Sequence, residues 1–514
     1  MEIFQIIIAL LLGGVVLTAI ARRASLPYPA LLAIAGAALS LLPNIPTLVF
    51  DPTLALALFV APVLLDAAFD TSQRDLRRNW RAVTSLALGA VVLTVIAVAV
   101  TAHAFVPDLP WWAAIALGAI VAPPDAAAAT AVLKQLRPPH RLLVILEGES
   151  LFNDASALLI YRFAVGATIT GVFSGTAFAG TLAVVFIGSI VLAFVLSKLV
   201  GFVTGRISDV PTAIVFQFCG TFAVWMLAEL LHLSAILTMV LFAMFLSRAA
   251  SMVGARIRVP SYAVWEVTVF VLNVLAFILV GLQLRQIVER TAWTRYIGVA
   301  AGVSVVVVAT RLVWVSGAAF LSRWRCRDRG AGADRTEDVV ALSGREAAVV
   351  GWCGMRGIVT LAAALALPLD FPHRDLIFFT SFTVVLVTLV VHGLTLRPLI
   401  QWLDVRDDGT VDREVHLARV ESLRAALDAV QRCEGENADL LRQRYELRLR
   451  RSEGDVHDAE HDLNDIRAIR VAVTAERQRL IELRDSGTIG DAAFQVIEQE
   501  LDRKELDLLE FARV

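Results

Sequence analysis

The sequence predicts an all-α, polytopic membrane protein, and three observations carry that expectation. The 514 residues are 57% hydrophobic and their mean hydropathy is +0.70, a balance that ordinary soluble domains do not reach. Apolar stretches of the length that crosses a bilayer, about 20 residues, recur from the first residues to about residue 400. Beyond that point the chain turns charged and the stretches stop. Two regions follow: residues 1–405 as a transmembrane domain and residues 406–514 as a cytoplasmic helical tail.

Turn and charge residues divide the membrane region into about thirteen spans. They lie near 2–20, 28–42, 53–69, 82–104, 112–133, 141–170, 177–204, 211–231, 233–248, 260–284, 294–321, 340–368 and 374–400. The opening Met1-Glu2-Ile3-Phe4 has no basic flank and no small-residue cleavage site behind it, so no cleaved signal peptide is expected. Cys219, Cys326, Cys353 and Cys433 show neither disulfide-scaffold nor metal-ligand spacing, so neither disulfides nor zinc is expected. The net charge of −2 averages a basic membrane face with a mixed tail and identifies no partner.

Alternate connections carry the arginines: Arg22 and Arg23; Arg74, Arg77, Arg78 and Arg81; Lys134, Arg137 and Arg141; Lys198 and Arg206; Arg248, Arg256 and Arg258; then Arg323 through Arg345. The opposite connections are nearly free of them, with Arg285, Arg290 and Arg295 the exception. The basic side is expected to be cytoplasmic, which puts the N-terminus outside and the tail inside; the expected location is the plasma membrane.

Two spans are interrupted. The fifth holds Ala122-Pro123-Pro124-Asp125, and the twelfth holds Gly351-Trp352-Cys353-Gly354-Met355-Arg356-Gly357. Prolines remove backbone donors and repeated glycines weaken a helix. The breaks stand seven spans apart, an odd offset that threads the second half upside down relative to the first. Interrupted helices at matching places in inverted halves point to an ion site at mid-membrane, because freed helix ends can meet ions there. Kinked structural helices are the plainer alternative.

The sixth span carries the main clue, Gly148-Glu149-Ser150-Leu151-Phe152-Asn153-Asp154, a polar run inside a stretch otherwise apolar enough for hydrocarbon. Positions four apart share a helix face, so Glu149 stacks with Asn153 and Ser150 with Asp154. A bare carboxylate in mid-membrane costs several kcal/mol, and such groups are tolerated where they line a cavity, pair with a cation or carry protons. A hard monovalent cation wants oxygen ligands. The Asp154 carboxylate, Ser150 hydroxyl, Asn153 amide oxygen, Asp125 and carbonyls near Pro124 would supply them. Proton and cation then compete for Asp154, which is what exchange requires. An amide beside Asp154, where a second acid could stand, leaves one titrating group and argues for one proton per cation. Two other classes remain: a membrane hydrolase with Ser150 as nucleophile, whose nearest histidine in sequence, His140, falls in a loop, and a cation channel.

These residues resemble the sodium/proton exchanger family, the electroneutral branch of the monovalent cation:proton antiporters. Asp125 in a broken span, the run from Gly148 to Asp154, and Gly354-Met355-Arg356-Gly357 carry the likeness, with Pro62-Val63-Leu64-Leu65-Asp66 and the Phe277–Leu284 run beside them. The resemblance implies that Asp154 binds cation and proton, that Asn153 is its paired amide, that Asp125 and Ser150 are further ligands to the monovalent metal ion, and that Glu149 and Arg356 form a buried ion pair. Asp66 stands where the family commonly has Glu and joins the cation- and proton-binding candidates. Pro124 stands where the family often has threonine, so one hydroxyl ligand is missing. The implied function is secondary antiport of Na⁺, or Li⁺ or K⁺, against H⁺ in pH and sodium homeostasis, with K⁺/H⁺ exchange as the rival. No enzyme activity, cofactor or nucleic-acid partner is implied, and the expected partners are membrane lipid and a second copy in a homodimer.

Lesser charges are expected to be structural: Arg311 paired with an acid such as Glu266, and His232 and His392 as helix-end residues. The tail shows amphipathic stripes, Val420, Leu423, Leu427 and Val430, then Ile469, Val473, Leu480 and Leu483, and a last helix with Phe494, Ile497, Leu501 and Leu508. It is expected to be a regulatory module or a solvated helical hairpin.

Overall fold

The computed structural model describes residues 2–24, 26–42, 52–136, 138–170, 175–248, 254–285, 293–328, 342–432, 438–453, 474–483, 486, 497–498 and 500–501. Every element among them is helical. The chain divides into Met1–Asp408 and Gly409–Val514. Among the described residues of the first unit, eight helices are long and apolar enough to cross a membrane, and Tyr28–Ser40, Trp111–Val121 and Ala235–Ser247 are shorter apolar helices. The helix His140–Thr170 runs unbroken for 31 residues. Its length suffices to cross a bilayer, and its charges at Arg141, Glu147, Glu149, Asp154 and Arg162 set it apart from the apolar eight.

Both expected interruptions are present. The fifth span is Trp111–Val121 and Ala126–Leu136 with Ala122 to Asp125 between them. The twelfth is Gly344–Trp352 and Ile358–Leu365 with Cys353 to Gly357 between. After Trp111 and Trp112, the helix Trp111–Val121 is mostly buried and built of Ala, Leu, Ile, Val and Gly, small enough for close approach: a Cβ on Gly118 would press on the Val95 backbone. Tyr28–Ser40 and Ala255–Leu282 also meet backbone to backbone. A Cβ on Gly281 would overlap the Ala33 carbonyl oxygen, and one on Gly36 would overlap that of Ile278. Without a hydrophobic drive between helices in lipid, such small-residue contacts hold helix pairs together.

Among the described residues, three π-helical turns, Leu56–Val60, Ser85–Ala90 and Thr388–His392, sit inside spans. The Ala87 carbonyl in the second accepts from Ser156 Oγ at 2.7 Å, tying this turn to the polar helix.

On the arginine-rich side, Gln73–Arg78 forms a short connecting helix capped by Ser72. Its Leu76 packs on Gly148 of the polar helix, while the Asp75 carboxylate contacts His140 Nε2 at 3.3 Å. Burial pushes the Asp75 carboxyl up, but hydrogen bonds from Ser72, His140 and Arg74 outweigh it and hold it below the usual carboxylate range. A group depressed in this way adds stability above its unfolded value and loses it only as pH falls through the lower folded one. Asp75→Asn is therefore expected to lower the thermal midpoint by the same amount at pH 8 and pH 9, both above the carboxylate range and above the ordinary imidazole value of about 6.5. Unfolding in detergent at the two pH values checks this, and a loss confined to one of them would contradict it.

In the second unit, Thr410–Gln431 and Ala438–Glu453 pack as a hairpin. Val420 is buried, and Leu423, Leu427 and Val430 are half-buried along the expected stripe. Arg424 bridges Glu421 and Glu453, each at 2.7 Å. Leu480 and Leu501 form a small cluster. Ile469, Val473, Phe494, Leu508, Arg290 and Cys433 lie outside the described residues.

Candidate cation-binding site

The two breaks cross against each other and against the polar helix. The Asp125 N–H donates to the Met355 carbonyl at 2.7 Å, one break bonding directly to the other. Asp125 Oδ1 accepts from the Ala127 N–H at 2.8 Å, capping Ala126–Leu136. The Asp125 carboxyl also rests on Gly357, where any Cβ would overlap it, and Gly357 opens the helix Ile358–Leu365. One carboxylate thus serves the positive N-terminal ends of both half-helices.

Arg356 does the opposite work. It is 1% exposed; its Nε donates to the Val121 carbonyl at 2.7 Å and its Nη1 to the Gly354 carbonyl at 2.9 Å. The first is an orphan carbonyl at the C-terminal end of Trp111–Val121 and the second lies just past the end of Gly344–Trp352, both places where a cation is favoured. The Arg356 N–H donates to Thr388 Oγ1 at 3.0 Å, and that hydroxyl donates on to the Val384 carbonyl at 2.8 Å.

The expected pair of Glu149 with Arg356 is not the one formed. Glu149 takes Arg311 instead: Arg311 Nη1 donates to Glu149 Oε1, and Nη2 to Oε2 at 2.9 Å, with side chains 4% and 2% exposed. Arg311 Nη2 also donates to the Val350 carbonyl at 3.1 Å. The physical reason is that Arg356 is committed to carbonyls of the breaks, whereas Arg311 comes from Trp293–Asp328 with its planar fork free for a bidentate carboxylate. Glu266, named from sequence as an example of a partner for Arg311, is exposed.

Asn153 and Asp154 are 0% and 7% exposed. Asn153 Nδ2 donates to the Pro124 carbonyl at 2.9 Å. A carbonyl can bond only the NH₂ end, so the amide orientation is settled, and Oδ1 is left buried without a partner. Of the carbonyls near Pro124 that were expected to supply ligands, that of Pro124 itself is thus engaged in holding Asn153. Asp154 lies within electrostatic reach of Asp125 and of Arg356. The structure therefore brings Asp125, Asn153 and Asp154 together. Ser150, half-buried, stands one turn from Asp154 on the same helix. Asp66 lies on a separate helix, Ala61–Asp70, whose Leu64 and Leu65 share an apolar cluster with Leu151 of the polar helix.

Sequence reasoning did not single out Thr388, and it expected Arg311 to be the structural counter-charge of an acid without identifying Glu149 as that acid. The signal for Arg311 was present: a lone arginine deep in an apolar span demands a buried acid. Thr388 gave none, because its role follows from the π turn that carries it. His392, expected at a helix end, is buried against Trp352 with ring centroids 4.7 Å apart and its Nδ1 unpartnered.

Comparison with known proteins gives the family and the fold. The pattern of one family, sodium/hydrogen exchanger, transmembrane, matches residues 6–402. A protein of Mycobacterium tuberculosis (strain ATCC 25618 / H37Rv), named an uncharacterized Na⁺/H⁺ exchanger, is 31% identical over 98% of this chain and 96% of its own length. A Bacillus pumilus protein named a sodium, potassium, lithium and rubidium/H⁺ antiporter is 28% identical over 76% of this chain and 60% of its own length. In fold, the sodium proton antiporter MjNhaP1 from Methanocaldococcus jannaschii superposes with a TM-score of 0.62 at 18% identity, over 78% of this chain and 99% of the other. With a match spanning nearly the whole membrane unit and a 31% identical relative aligned over 98% of the chain, the chain belongs to the family of transmembrane sodium/hydrogen exchangers.

Proposed function

We propose that the protein exchanges one Na⁺ for one H⁺, without net charge movement, on the single shared carboxylate of Asp154. Cation/proton antiport is the activity of the family, and the chain is a transporter, not an enzyme. The observation that carries the finer reading is the pairing at the crossing: Asp154 stands beside an amide whose oxygen is buried and unpartnered. Of the two carboxylates there, Asp125 is already engaged as a helix cap. Asp154 is then the group that alternates between proton and cation, Asn153 Oδ1 and the Ser150 hydroxyl are neutral oxygen ligands, and Asp125 adds negative field without titrating in the cycle. Asp66 is a candidate on the approach. The Glu149–Arg311 pair and Arg356 brace the crossing and take no cation.

A bare carboxylate is disfavoured in hydrocarbon, so the crossing is made only with proton or cation aboard. That prohibition couples the two fluxes. The N-terminus lies outside, the tail lies in the cytoplasm, and the plasma membrane is the site of action, where exchange serves pH and sodium homeostasis. A homodimer is the proposed assembly, and the tail is a regulatory module. K⁺/H⁺ exchange is the second reading, favoured by Pro124, which offers no hydroxyl to the site, and by the breadth of cations in the name of the Bacillus pumilus relative.

Proteoliposomes of purified protein, carrying a pH dye and challenged in turn with Na⁺, Li⁺ and K⁺, test it. Sodium-driven alkalinisation or acidification is expected, lost in Asp154→Asn and unchanged when valinomycin and potassium clamp the voltage. Exchange that survives Asp154→Asn, or a rate that follows the clamped voltage, would refute the scheme.

A further inference from the structure

A cavity of about 260 Å³ lies beside the site, on the Thr170 side of the polar helix. One water needs only about 10–15 Å³ of such space, so a hydrated monovalent cation fits inside. From the polar helix it is lined by Ala155, Leu158, Leu159, Arg162 and Phe163, the spacing of a single helix face. Asp154, Leu158 and Arg162 form one i, i+4, i+8 ridge. Asp154 is thus the next position on the row that lines the cavity, and Arg162 stands about 12 Å further along the axis.

Glu229, from Val210–Leu230, lines the same space as Arg162. Its place is unfavourable for stability. The helix ends at Leu230, closed by the Leu233 N–H on the Ala228 carbonyl and by the left-handed His232, so Glu229 is an acid in a last turn, against the macrodipole. Among the described residues the two opposite charges form no ion pair with each other. Trp225, on the same wall, is 2% exposed and its indole N–H has no acceptor. The remaining lining is mostly apolar, which gives a cation little to hold it. A path must admit an ion and release it, so two opposed charges on apolar walls suit passage better than storage.

We propose that this cavity is the vestibule through which the cation moves between Asp154 and the extracytoplasmic face, with Glu229 drawing it in and Arg162 opposing its retention. Leu158 separates the vestibule from the carboxylate. This inference rests on the antiport reading above and adds the route and two residues that set affinity from one side.

The two charges give effects of opposite sign. With sodium supplied at the extracytoplasmic face, Glu229→Gln is expected to raise the half-saturating concentration roughly fivefold and Arg162→Gln to lower it by a similar factor, the scale of one partly exposed charge contact. Neither is expected to change it with sodium supplied at the cytoplasmic face, and the double variant returns near the parent value. A merely structural disturbance would move both variants in the same direction, and that result, or equal shifts from both faces, would overturn the proposal. Independently, Leu159→Cys is expected to react with a membrane-impermeant methanethiosulfonate from the extracytoplasmic side, located by peptide mass spectrometry; reaction from the cytoplasmic side alone would overturn it. If exchange survives Asp154→Asn the antiport scheme itself fails. If Asp154→Asn abolishes exchange while the Glu229 and Arg162 variants miss these signs, only the vestibule fails.

Discussion

Glu149→Gln is expected to unfold the membrane unit more readily than any single change of comparable size. The Arg311 guanidinium is held by both Glu149 oxygens inside the bundle. Removing the acid strands a buried cation, a loss of about 3–5 kcal/mol. Whole-domain stabilities run to only about 5–15 kcal/mol, so such a loss takes a large share. The Val350 carbonyl keeps one contact to Nη2 but supplies no countercharge. The double variant Glu149→Leu with Arg311→Met removes both charges and is expected to recover most of the loss, since apolar replacement of a buried pair is often neutral or stabilising. Thermal unfolding monitored by size-exclusion chromatography in detergent decides the matter. A Glu149→Gln midpoint equal to the parent's, or a double variant worse than the single, would show that the pair does not brace the crossing.

The breaks were legible because they are written in backbone chemistry. Pro123 and Pro124 cannot continue a hydrogen-bonded helix, and Gly354 and Gly357 weaken one; the structure interrupts both spans there. The polar stripe was equally plain, since Glu149, Asn153 and Asp154 fall on an otherwise apolar helix. The pairing of Glu149 was not legible. Two arginines were available, and choosing between them needed the accounting of carbonyls that the breaks release: once Val121 and Gly354 claim Arg356, Arg311 is the cation left for Glu149. Thr388 was hidden because its role depends on a π turn, whose sequence Thr-Leu-Val-Val-His differs little from its flanks. Sequence reasoning did not single out Arg162 or Glu229, and only the packing of five helices around one cavity brings them to the same space.

Asp154→Asn carries the other large effect, complete loss of exchange, and its reason is competition. If one carboxylate hosts both ions, sodium can enter only as the proton leaves, and lowering the pH must weaken sodium binding by about tenfold per unit once the site is protonated. Asp125 cannot substitute, because its Oδ1 is held by the Ala127 N–H and its carboxyl is wedged on Gly357. Asn153 cannot either, because an amide does not titrate. Sodium titration of the purified protein by calorimetry, repeated across pH in buffers of different ionisation enthalpy, measures the competition directly. One proton released per sodium bound, with affinity falling as pH falls and both effects abolished by Asp154→Asn, is the expected result; sodium affinity independent of pH, or protons still released by the variant, would contradict it.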